Sequence, residues 1–200
     1  MAFPFSCLIM GIDLAGSPHR PTGLCFLREM EVSTQLAYEN REIISLIKEK
    51  KPYLVAIDAP LSLPVSHSSN KNKVSLRACD EELRRRRIPF FPPTLGPMRQ
   101  LTERGKWLRK KIEAMGIKVI EVYPGGAQDI WGLPRARREA AKLRLGLQKM
   151  GLKGLKKKMT AHELDAVTAA LVGYYYLQGK TEGIGASEEG LIILPIKDKP

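Results

Sequence analysis

Apolar residues run along this chain in two rhythms, and the alternation between them predicts strands and helices in turn. Phe5 to Leu14 is a continuous apolar run with Gly11 near its end, the pattern of a buried strand. The loop AGSPHRPTG follows, and Thr22 to Leu27 and Val32 to Ala37 then predict two more strands in a hairpin or meander. Asn40 to Lys50 has apolar residues at 43, 44, 46 and 47, one face of a helix, and Tyr53 to Ile57 is a short buried strand. After the loop APLSLPVSHSSNKNK, Val74 to Arg87 predicts a helix, which IPFFPPTLGP interrupts with four prolines. Met98 to Met115 is an amphipathic helix with a basic face, Lys118 to Val122 a fifth strand, and Pro134 to Lys149 a second basic helix. Thr160 is placed to cap a last helix with Glu163 three residues on, the capping-box spacing, and Gly179 stops it. GASEEGLIILPI adds a turn and a short apolar strand.

The order predicts a single α/β domain over 1–200, with a mixed five-stranded sheet flanked by helices and a C-terminal strand. At 44% apolar residues the chain is globular rather than disordered. Its formal charge of +12 points to an anionic partner, most simply DNA or RNA, against the alternative of a solvated Lys/Arg-rich surface. The positive charge is clustered at Arg84 to Arg87, Lys106 to Lys111, Arg135 to Arg144 and Lys153 to Lys158. Cys7, Cys25 and Cys79 show no zinc or disulfide spacing. The early residues lack the basic start of a signal peptide, and Ala166 to Gly179, the longest uncharged stretch, is too short to cross a bilayer. No membrane association and a cytoplasmic location are expected.

Three aspartates stand where these apolar segments end or begin: Asp13 after CLIMGI, Asp58 after YLVAI, and Asp165 in the first part of HELDAVTAALVGYYYLQG. A carboxylate in such a place is costly unless it is paired, hydrated or bound to a metal. Each also has a plainer reading. Asp13 precedes a Gly16 turn, Asp58 precedes Ala59-Pro60, and Asp165 in a first turn would favour the helix dipole. Glu121 alternates away from the Ile120 and Val122 face, and serves either as a further ligand or on the wet side of the sheet. His162 lies one helix turn before Asp165, as a proton shuttle, substrate contact or surface histidine. His19 and His67 sit in loops after the two strand carboxylates.

The segments GIDLAGS, AIDAPLSLP, RACDEELRRRR, EVYPGG, HELDAVTAAL and EEGLIILP, in that order, resemble an uncharacterised family of predicted nucleases with ribonuclease H-like fold. HELDAVTAAL is also similar to the last-helix motif of Holliday-junction resolvase-type nucleases. The resemblance implies that Asp13, Asp58 and Asp165 bind Mg²⁺ or Mn²⁺, with Asp13 bridging two ions. It also implies that Arg77, in an Arg-x-x-Asp pattern with Asp80, contacts a substrate phosphate. In-line attack on a phosphodiester needs an activated water and relief of charge on the leaving oxygen, and two divalent ions about 3.5–4 Å apart supply both. Hard cations demand oxygen ligands, so Asp and Glu are the fitting residue types. Arg84 and Arg85 are the phosphate-gripping candidates of their run, because successive helical residues turn by about 100° and only one or two can meet one anion. The expected function is metal-dependent nuclease action, with a homodimer possible. The competing readings are a non-catalytic nucleic-acid-binding protein on the same scaffold and a hydrolase or transferase of a small phosphorylated metabolite.

Overall fold

The strands expected from the sequence assemble around the first of them in the computed structural model, which describes residues 6–64 and 76–196. Phe5, His67 and the start of the helix expected from Val74 lie outside those residues. In chain order the elements are β1 (Ile9–Asp13), β2 (Thr22–Arg28), β3 (Glu31–Ala37), α1 (Asn40–Lys50), β4 (Leu54–Asp58), α2 (Ala78–Arg85), α3 (Gly96–Glu113), β5 (Lys118–Val122), α4 (Pro124–Ile130), α5 (Ala136–Lys149), α6 (Ala161–Leu177), β6 (Thr181–Ala186) and β7 (Gly190–Pro195). The sheet runs β3-β2-β1-β4-β5-β7-β6. β2 is antiparallel to both neighbours, whereas β4 is parallel to β1 and to β5. Three meandering strands, a helix, a parallel strand, further helices and a closing helix make the fold ribonuclease H-like.

Among the described residues the sheet has seven strands rather than five. The apolar LIILP run, expected as a separate C-terminal strand, pairs parallel with β5 through Glu121 and Val122. TEGIGA then adds antiparallel to it as the far edge. Its two glycines, one of them Gly185 at φ 111°, and its exposed positions carry little strand signal. α4 is a further element with no counterpart among the expected ones. Here Pro124 begins a helix, where its missing N–H costs nothing. α2 is shorter than the expected helix from Val74 to Arg87, with Arg77 as its N-cap.

Alternation divides β1 and β4 between two cores. Ile9, Leu54 and Ala56 face α6 with Leu143 and Leu147 of α5. Met10, Ile12, Val55 and Ile57 face Ile43 and Ile47 of α1 and Leu108 and Ile112 of α3. α6 is apolar almost all round, as suits a helix covered by the sheet on one side and by α4 and α5 on the other. It seats closely because Gly11 lies beneath it. A Cβ there would stand 2.1 Å from Ala166 O and 2.5 Å from Ala170 N. The Thr160–Glu163 box forms as expected, with Glu163 N–H donating to Thr160 Oγ1 (3.2 Å) and Glu163 Oε2 accepting from Thr160 N–H (2.9 Å). Among the described residues no helix is long and apolar enough to cross a membrane.

Candidate metal centre

Asp13 and Asp58 are paired residues on neighbouring parallel strands. Their side chains share a face of the sheet, because Ile9 and Gly11 lead to Asp13 with the same alternation by which Leu54 and Ala56 lead to Asp58. That face is the one α6 covers. Asp165 arrives from α6, in its second turn rather than its first, so the helix dipole explains it less well than the sequence suggested. The start of α6 presses on β2 as closely as its middle does on β1, since a Cβ at Gly23 would lie 2.0 Å from His162 O. This contact brings the His162 ring onto Asp13, with Nδ1 to Oδ2 at 2.6 Å. Gln128, from α4, donates from Nε2 to Asp165 Oδ1 (2.8 Å) and to Thr168 Oγ1 (3.1 Å), leaving its buried Oε1 without a hydrogen-bond partner.

The electrostatics are those of like charges held together. Burial, then Asp13, Asp165 and Glu121, push the Asp58 carboxyl well above the usual carboxylate range, and Arg137 pulls it back. Burial and Asp13 raise Asp165 to about 6, opposed by Gln128, Arg137 and His162. The Asp13 hydrogen bond raises His162 above its ordinary value, so its charged form is favoured beside the acids. Arg137, exposed near the start of α5, is therefore the cation that Asp58 and Asp165 both feel.

The other expected site residues lie elsewhere. Glu121 pairs with Ile57 in the β4–β5 register and so faces the α1–α3 side, away from Asp58. Glu121, expected either as a further ligand or on the wet side of the sheet, is instead buried and bound within the fold. Its Oε2 accepts from Leu61 N–H (2.7 Å) and Arg77 Nη1 (2.9 Å), and its Oε1 from Arg77 Nη2 (2.8 Å). Burial pushes its carboxyl up, with Arg77 pulling it back. Arg77 likewise does not face a phosphate. It is 1% exposed, and every guanidinium N–H group is engaged by Asp80, Glu121 or Ser62 Oγ. Arg84 and Arg85 are exposed and pair with Glu81 and Glu82 on their own helix. Arg86 reaches Glu182 of β6, so this run sits at the far edge of the sheet, three strand spacings or about 14 Å from β4. The GLKG stretch is pinned to that sheet's other edge, where Lys153 exchanges backbone hydrogen bonds with Met30 and Val32 of the β2–β3 hairpin. Glu163 is satisfied by its cap and by Thr34 Oγ1 (2.8 Å). Gln128 and Arg137 were missed. The first lies in a short helix that the sequence pattern did not predict; the second is one arginine among several in a basic helix.

Among the described residues no three His, Cys, Asp or Glu side chains are already gathered to share an ion. Asp13 is turned to His162 and Asp165 to Gln128. The donor set nonetheless fits a hard divalent cation. The carboxylates come from two strand ends and a helix on one face of the sheet, and the repulsion felt by Asp58 and Asp165 is what a positive ion relieves.

No curated protein sequence matches the chain. Among solved structures it is similar to Thermus thermophilus RuvC in complex with Holliday junction substrate, at 15% identity and TM-score 0.48, covering 86% of this chain and 96% of that one. It is similar also to RuvC of Thermus thermophilus on its own, at 14% identity and TM-score 0.46 over the same shares. A family match over residues 11–190 covers nearly the whole chain, which belongs to the family described as protein of unknown function (DUF429).

Proposed function

We propose that this protein is a divalent-metal-dependent nuclease that hydrolyses phosphodiester bonds in DNA or RNA. The reading is carried by one observation: Asp13 and Asp58 stand side by side on the face that α6 covers with Asp165, where Asp13 and Asp165 raise the cost of charge on Asp58 and Asp13 raises that on Asp165. In the proposal these three residues hold Mg²⁺ or Mn²⁺, for which Asp13 turns from His162 and Asp165 from Gln128. Such ions would lower the pKa of the attacking water and neutralise charge on the leaving oxygen.

The chain's own residues do the remaining work. His162, released from Asp13, is placed to carry a proton at the edge of the acid cluster. Arg137 lies where a phosphate approaching the carboxylates would meet a cation and offset their repulsion of the substrate. The basic helices α3 and α5 supply backbone contacts. α3 is fixed at the site's rim by Arg104, which donates to Ala15 O (2.6 Å) just beyond Asp13, and by Gly105 against Pro60 just beyond Asp58. Binding of this kind weakens steeply with salt.

The hydrogen bonds that already occupy Asp13 and Asp165 favour one second reading, a nucleic-acid-binding protein that keeps the scaffold without catalysis. A panel of single-stranded, double-stranded and branched DNA and RNA, incubated with Mg²⁺ or Mn²⁺, separates the two. Cleavage by wild type that disappears in Asp13→Asn supports the nuclease. Binding without cleavage of any substrate, unchanged in Asp13→Asn, supports the scaffold.

A further inference from the structure

Phe91 has 78% of its surface in solvent, more than any other large apolar side chain among the described residues. Lone exposed apolar residues are common and mean little by themselves. The setting of this one is different. Pro89 lies two residues before it and Pro92 directly after, which biases Phe91 to an extended backbone, and a turn closed by Leu95 N–H donating to Pro92 O (3.2 Å) follows. Successive side chains of an extended segment point opposite ways. Phe90 packs against the small core formed by Ile88, Ile184 and Leu194, and Phe91 is thereby turned outward.

This segment is tied to the rim of the acid centre. Pro89 O accepts from Tyr123 Oη–H and from Arg135 Nη2 (3.4 Å), and Arg135 Nη1 also donates to Tyr123 Oη (3.2 Å). The Tyr123 phenol lies within the field of Asp58. Phe91 Cα can be no more than about 7 Å from Pro89 Cα. Around it, Arg84, Arg85 and Arg86 are paired with Glu81, Glu82 and Glu182, while Arg87 and Arg99 are exposed. A fixed aromatic face flanked by cations suits a strand whose bases are unstacked, since the ring takes a base and the cations take the backbone.

Resting on the nuclease reading above, we propose that Phe91 is a stacking platform for an unpaired nucleobase, so that the substrate class is single-stranded nucleic acid or duplex with locally unpaired nucleotides. The test measures binding by fluorescence anisotropy in EDTA, with a short oligothymidine strand and a blunt duplex of equal length, for wild type, Phe91→Ala and Phe91→Trp. Phe91→Ala should bind the single strand about tenfold more weakly and the duplex unchanged, while Phe91→Trp retains binding and its added emission responds to the single strand. The inference is overturned if Phe91→Ala binds both as wild type does or loses both equally. It is also overturned if wild type, but not Phe91→Ala, sediments as a dimer, which would make the ring a contact between copies. Cleavage of the same strand with Mn²⁺ is followed in parallel. Asp13-dependent cleavage without any Phe91 effect sinks this inference alone, and a Phe91 effect without cleavage sinks the nuclease reading alone.

Discussion

Replacing Asp165 with Asn should make the metal-free protein more stable, the reverse of the usual outcome at a semi-buried polar site. Burial and the Asp13 charge hold the Asp165 carboxyl at about 6, against an ordinary 3.8. A displacement of that size corresponds to ~3 kcal/mol between the two protonation states. Asp165 is partly open to solvent, so about half of that, ~1.5 kcal/mol, is the expected gain. Asn conserves volume and can still accept the Gln128 Nε2 bond at Oδ1, which is 2.8 Å long in wild type. The folded chain holds this proton more tightly than the unfolded chain, so stability falls as pH rises from about 4 to about 6. The penalty is absent below that window and complete above it. For 200 residues, ~1.5 kcal/mol shifts Tm by about 3–6 °C. Thermal unfolding in EDTA should therefore show the variant ahead by that margin at neutral pH, with the margin closing towards about pH 4. Excess Mn²⁺ should reverse the order, because only wild type then gains from binding. A variant no more stable than wild type at neutral pH, or one whose advantage persists unchanged in acid, would refute the claim that like charges are crowded here.

Other expectations follow from packing and charge. Gly11→Ala places a Cβ 2.1 Å from Ala166 O, a backbone atom that cannot turn aside, and should cost about 3 kcal/mol or more in urea unfolding at unchanged m-value; a loss under about 1 kcal/mol would mean α6 is not seated there. Arg77→Met strands the buried Asp80 and Glu121 charges and should cost about 3–5 kcal/mol. Adding Glu121→Leu should recover part of that loss, and simple additivity of the two changes would contradict the pairing. Arg137→Ala should lower the melting temperature slightly at neutral pH, by removing a cation that Asp58 and Asp165 feel, weaken nucleic-acid binding and reduce the slope of log affinity against log salt by about 1, an outcome missed if the slope does not change.

The positions of the three aspartates are legible from the chain because each sits at a change of rhythm, and parity alone puts two of them on one face. Ile9, Gly11 and Asp13 alternate in step with Leu54, Ala56 and Asp58, so only the register between the strands has to be supplied by the fold. What lies beyond local pattern was not legible. The Arg77–Asp80 spacing is the same whether the guanidinium meets solvent, phosphate or a buried carboxylate, and it is the distant Glu121 that decides for the last. Alternation did turn Glu121 away from Ile120 and Val122, but its destination depends on Leu61 and Arg77 from two other segments. Gln128 was hidden in PGGAQDI, whose glycines resemble a turn, although Pro124 is as compatible with a helix start. Gly11 and Gly23 fall inside predicted strands, where nothing local shows that their use is to let another element's backbone approach.

That close approach explains how a fold can keep mutually repelling carboxylates at its centre. A loosely packed helix would slide until Asp165 and the strand aspartates separated, and the repulsion would dissipate. Here the sliding is resisted at three points. Gly11 and Gly23 lock the α6 backbone onto β1 and β2, and the Glu163 carboxylate ties the capped start of α6 to Thr34 on β3. The repulsion therefore remains stored as raised proton affinity at Asp58 and Asp165. A proton and a divalent cation compete for the same lone pairs. On the proposed function, a rigid cluster that binds protons too tightly in isolation would accordingly gain ion affinity as pH carries those protons away.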